Sequence, residues 1–66
     1  MIKLIDCLEL NGKEVEVIDV DNQIFKGVAT IGTDFDTDRN YVDIEQPGKS
    51  YVVEIFEDEI KSIKAT

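Results

Sequence analysis

Histidine is missing from this 66-residue chain, and with it go the commonest general base and any Ser-His or Cys-His nucleophile. Cysteine occurs once, as Cys7, so no internal disulfide can form. Basic residues are few: seven Lys and Arg stand against fifteen Asp and Glu, a formal charge of −8. Lys3, Lys13, Lys26, Arg39, Lys49, Lys61 and Lys64 are scattered, mostly beside acids or apolar residues. With no basic patch to neutralise a phosphate backbone, the net charge disfavours RNA as a partner, and DNA is not expected. No run of 18 apolar residues exists to span a membrane. The N-terminus lacks the basic region, apolar stretch and cleavage site of a signal peptide, so the expected compartment is the cytoplasm, where a free thiol is ordinary. Repeats, low-complexity tracts and linkers are absent as well.

Apolar residues make up 42% of the chain and are spread along it, which favours a folded state over disorder. So short a chain forms one domain, residues 1–66, and buries only about 60% of the surface that its unfolded form exposes. Small domains without disulfides or metals often gain stability by oligomerising, so a homo-oligomer is expected.

Ile2, Ile5 and Leu8 fall at helical spacing with Leu4 beside them, predicting one or two turns of amphipathic helix before Asn11-Gly12. Cys7 lies on or beside that stripe and reads as a small buried hydrophobe. From Glu14 to Val17 the pattern alternates strictly, as a half-buried strand requires. Ile18 and Val20 then switch parity, which suggests a bulge or burial on both faces. Asp21-Asn22 tolerates the positive φ of a tight hairpin turn leading into a strand over residues 23–31. Gly27 within that strand marks strong curvature or the close approach of another backbone. Residues 40–45 alternate, Gln46-Pro47-Gly48-Lys49 is a turn, residues 51–56 form a strand, and residues 59–64 form another. In the last, Ile60 and Ile63 are three apart, which implies a bulge or a single helical turn. The expected fold is mostly β: a short N-terminal helix and five short antiparallel strands, rolled into a small barrel that hides its edges.

The acidic stretch DFDTDRNYVDIE, Asp34 to Glu45, invites comparison with a calcium loop, since Asp34, Asp36, Asp38 and Glu45 fill ligand positions 1, 3, 5 and 12. Position 6 is Arg39, where such a loop needs glycine, and the flanks do not read as helices. A solvated hairpin loop is the better reading, with a cation-binding acidic loop as the alternative. No metal site and no cofactor are expected. The acidic run Glu57-Asp58-Glu59 is what an acidic surface produces anyway, and no catalytic residues are assigned.

The order of certain residues resembles the Sm and Sm-like proteins over nearly the whole chain. Gly12-Lys13-x-Val15-x-Val17, Asp21-Asn22, Phe25-x-Gly27 and Phe35-Asp36-x-x-x-Asn40-x-Val42 are similar to that family's first signature block, and residues 55–63, IFEDEIKSI, to its second. The resemblance implies a helix-capped, strongly bent SH3-like barrel of five strands. It also implies homo-oligomeric rings in which the fourth strand of one subunit pairs with the fifth of the next. The family's uridine pocket uses an aromatic, an asparagine and an arginine, which map to Asp38, Asn40 and Phe56, with Glu57 where the family has glycine. Two of the three elements are thus replaced, and the reading is a non-enzymatic binding or assembly module that has largely lost the pocket.

The alternative keeps RNA binding at an altered site around Asn40 and Arg39. The candidate binding residues are Asp36, Arg39, Asn40 and Phe56. Asp36 and Asn40 also read as turn caps, Arg39 as the partner of a neighbouring Asp34, Asp36 or Asp38, and Phe56 as a core or interface aromatic.

Overall fold

A computed structural model describes residues 1–66. A 3₁₀ helix, Leu4–Leu10, precedes β1 (Glu14–Asp19), β2 (Ile24–Asp34), β3 (Arg39–Glu45) and β4 (Val52–Phe56); a 3₁₀ turn, Glu57–Glu59, leads into β5 (Ile60–Ala65). The strands form one antiparallel sheet in the order β4-β3-β2-β1-β5. No helix is long and apolar enough to cross a membrane.

The N-terminal helix departs from the expected face: Leu4, beside the Ile2-Ile5-Leu8 stripe, is the residue turned to the core. In 3₁₀ geometry residues three apart eclipse one another. Leu4, Cys7 and Leu10 therefore share the inward face, with Leu4 fully buried and the other two half-buried. Ile5 and Leu8 share a second face and stay exposed, and Asp6 and Glu9 share a third. Cys7 itself has non-helical angles, φ −119° and ψ 19°, which kink the segment midway.

Local turn chemistry follows the residues. Asn22 adopts φ 64° in the β1–β2 hairpin, where Asp19 Oδ1 accepts the N–H groups of Asp21 and Gln23. Gly48 takes φ 75° after Pro47, and the Lys49 N–H reaches Gln46 O at 3.2 Å, as a type II turn requires. The acidic stretch is a hairpin: Asp34 pairs with Arg39, and residues 35–38 make the turn with Asp38 at φ 58°. Asp34 Oδ1 accepts the Asp36 N–H at 3.0 Å, so Asp34 is the cap and Asp36 supplies the amide.

The alternation of β1 buries Val15 and Val17, that of β3 buries Val42 and Ile44, and Leu4, Ala29, Ile55 and Ile60 complete the core. In β5 the register with β1 shifts between Ile18 and Asp19, leaving Lys61 as an extra residue, so Ile60 and Ile63 both turn to the core despite their spacing. That shift is also where the parity change at Ile18 falls.

The sheet does not close through pairing of β4 with β5, which are its two edges. It is nevertheless arched. Edge strands of a flat five-stranded sheet lie about 19 Å apart at roughly 4.8 Å per strand. Only the turn Glu57–Glu59 joins β4 to β5. Four residue steps span at most about 14 Å even when extended, and less in a 3₁₀ turn. Gly27 permits the bend: a Cβ there would collide with the Glu45 carbonyl oxygen and lie 2.9 Å from Ile44 Cγ2.

Candidate functional site

Three of the four sequence candidates come together where β3 begins and β4 ends. Tyr41 and Phe56 are cross-strand partners, their rings edge to face at 6.3 Å. Two residues before Tyr41, Arg39 projects from the same face of β3 and lays its guanidinium 3.8 Å from the centroid of Phe56. It also donates to Asp58 Oδ1 at 2.9 Å. The expected pairing of Arg39 with an acid of its own hairpin is not what forms, because the turn after β4 carries Asp58 back across the start of β3. Phe56 is half-buried on this surface, outside the core cluster.

Asn40, on the opposite face of β3, is committed at both ends. Its Oδ1 accepts the Thr33 hydroxyl at 2.7 Å, and its Nδ2 donates to Glu57 Oε2 at 3.3 Å. Glu57 Oε2 also accepts the Leu4 N–H at 2.8 Å, the amide that opens the N-terminal helix. Asn40 is thus a tie between β2, β3 and the 57–59 turn, not a cap of the hairpin turn. Asp36 is set apart at the hairpin tip, beside Phe35, which is 91% exposed.

A cleft of about 200 Å³ lies here, lined by Met1, Asp38, Arg39, Asn40, Glu57 and Asp58. Three carboxylates face one guanidinium, itself paired, so the cleft is net negative. An anionic base-and-phosphate ligand would meet Asp38 and Glu57 at the rim.

Two groups elsewhere have displaced protonation. The Cys7 thiol is pushed up by partial burial, then by Glu9, Asp6 and Glu57; its Sγ lies 3.6 Å from Lys3 O. Burial raises the Asp43 carboxyl, whose Oδ1 has no hydrogen-bond partner. Asp43 sits between Thr30 and Glu54 in the register of β2, β3 and β4.

Glu57 and Asp58 are the participants that sequence reasoning passed over. In a chain with fifteen acids, nothing local separates them from solvated surface; the turn they occupy does. No protein-family model, curated protein or solved structure matches the chain.

Proposed function

We propose that the chain is a non-enzymatic Sm-like binding and assembly module, an arched SH3-like barrel that associates by setting β4 of one copy against β5 of the next. The observation that carries this reading is the strand order, which leaves β4 and β5 as the two edges. Each edge offers a row of unpaired backbone donors and acceptors, and a strand so placed is a template for another chain. The three-residue connection holds both edges on one short stretch of the molecule. Exposed Tyr51 and Val52 open the β4 edge, and Glu54 on β4 is opposite in sign to Lys61 and Lys64 on β5. Pairing of two different edges is head-to-tail, and it makes a ring when the rotation between copies closes.

The site favours loss of uridine recognition. Asp38 stands where a stacking aromatic would be, and Asn40 spends its amide on Thr33 and Glu57. Native mass spectrometry with and without a short oligouridylate tests the proposal. The expected result is a multiple of the 7.5 kDa subunit that takes up no RNA. A 7.5 kDa species at every concentration refutes assembly; stoichiometric RNA uptake that weakens steeply with salt restores the altered RNA site around Asn40 and Arg39.

A further inference from the structure

The core uses one of the three faces of the N-terminal helix and leaves a second apolar one in solvent. Ile5 is 66% exposed and Leu8 54%, beside the acidic face of Asp6 and Glu9. A groove of about 180 Å³ is lined by Ile5 and Leu8 of the helix and by Ile31 and Thr33 of β2, with buried Leu4 and with Asn40 also contributing. Asn40 also lines the acidic cleft with Asp38, Glu57 and Asp58, so the apolar groove runs directly into negative charge.

The backbone of β2 faces this groove. Ala29 exchanges hydrogen bonds with the segment leaving the helix, its C=O accepting from Gly12 N–H and its N–H donating to Lys13 O. The Ile31 N–H is taken by Asn11 Oδ1 at 2.9 Å. Peptide groups of alternate strand residues point to the same side, so those of Thr33 project next, past the point where Asn11 leaves the strand.

We propose that the groove and the cleft form one docking surface for a segment of a partner protein that carries a large apolar side chain beside a lysine or arginine. The apolar side chain occupies the space between Leu8 and Ile31, and Thr33 offers backbone hydrogen bonds to the segment. The cation meets Asp38 and Oε1 of Glu57, since Asp58 is already paired with Arg39 and Glu57 Oε2 is taken by Leu4 and Asn40. Charge complementarity selects this occupant over a second copy of the chain, which would bring its own −8 to an acidic surface. The groove walls belong to the helix and to β2, neither of which is a sheet edge, so the apolar part of the docking surface does not use the β4 and β5 edges.

Amide chemical shifts of the ¹⁵N-labelled protein provide the test. The probes are blocked eight-residue peptides of glycine and serine with a central leucine–lysine, leucine–glutamate or serine–lysine pair. The leucine–lysine peptide is expected to move the amides of Ile5, Leu8, Thr33 and Asn40 and to bind at least tenfold more tightly than the other two. The double variant Ile5→Ser, Leu8→Ser alters only exposed side chains. Its core amides, Val17 and Ile44, keep their shifts while affinity for the leucine–lysine peptide falls at least tenfold. The proposal is overturned by any of four results: no movement at millimolar peptide, equal response to all three peptides, the same amides moving with protein concentration alone, or their moving with oligouridylate and not with peptide.

Discussion

Replacing Gly27 with alanine adds one methyl group at the tightest point of the sheet. The new Cβ meets the backbone oxygen of Glu45 and Ile44 Cγ2, and a carbonyl held in a β ladder cannot swing aside as the end of a long side chain can. Overpacking in a well-filled interior costs about 1–3 kcal/mol and occasionally more; a clash against backbone belongs at the upper end, about 3 kcal/mol. A chain of this length has a total stability of roughly 3–10 kcal/mol, so the substitution removes a large share of it. With a urea slope of about 1 kcal/mol per molar for so small a domain, the midpoint should fall by roughly 3 M. Gly32→Ala is the control, because there the obstructing atoms are the Tyr41 hydroxyl at 2.6 Å and its ring, which can rotate away. Urea unfolding followed by circular dichroism measures both variants. If Gly27→Ala unfolds within about 0.5 kcal/mol of the parent, the range of an ordinary surface change, then neither the close approach nor the arch built on it is correct.

Glu57→Ala should cost about 2 kcal/mol, since one carboxylate oxygen accepts both the Leu4 amide and the Asn40 side chain, and Glu57→Gln should recover part of that; thermal melts and faster hydrogen exchange at the Leu4 amide report it. A double-mutant cycle on Arg39→Ala and Phe56→Leu should give a coupling of about 0.5–1 kcal/mol for the stacked guanidinium, and a coupling near zero in chemical denaturation refutes the contact. The raised Asp43 carboxyl binds its proton more tightly folded than unfolded, so the stability it contributes is complete below the unfolded value of 3.8 and is lost as pH rises through the folded one. Asp43→Asn should therefore melt higher than the parent at pH 7, with the advantage shrinking as the pH falls through the raised folded value and gone below the unfolded 3.8; an advantage that is flat with pH contradicts this.

What depends on neighbouring residues is legible in the sequence. Pro47-Gly48 and Asn22 have the conformations that their turns demand, and the spacing of Ile60 and Ile63, which a bulge or a helical turn would explain, corresponds to the register shift at Lys61. Gly27 pointed to a close backbone approach, although which carbonyl approaches is a property of the folded sheet. The helix face is not legible because the Ile2-Ile5-Leu8 and Leu4-Cys7-Leu10 stripes are both apolar and both spaced by three residues, and packing of Leu4 on the sheet selects between them. Arg39 illustrates the limit most clearly. Four aspartates stand within five residues of it, yet its partner is Asp58, brought near only by the connection between the two edge strands. The same connection makes Glu57 the hub of Leu4 and Asn40, a role invisible in an acidic triplet.

The pairing of β1 with β5 also bears on how the chain comes to be folded. Val15 lies against Ala65, so β1 is synthesised well before the strand that borders it, and its side of the sheet stays bare while the intervening residues emerge. Contacts so distant along the chain slow folding, and a nascent edge of this kind is where non-native chains attach. The acidic surplus then serves as protection during synthesis: growing chains that all carry the same sign repel one another through the interval in which β1 has no neighbour.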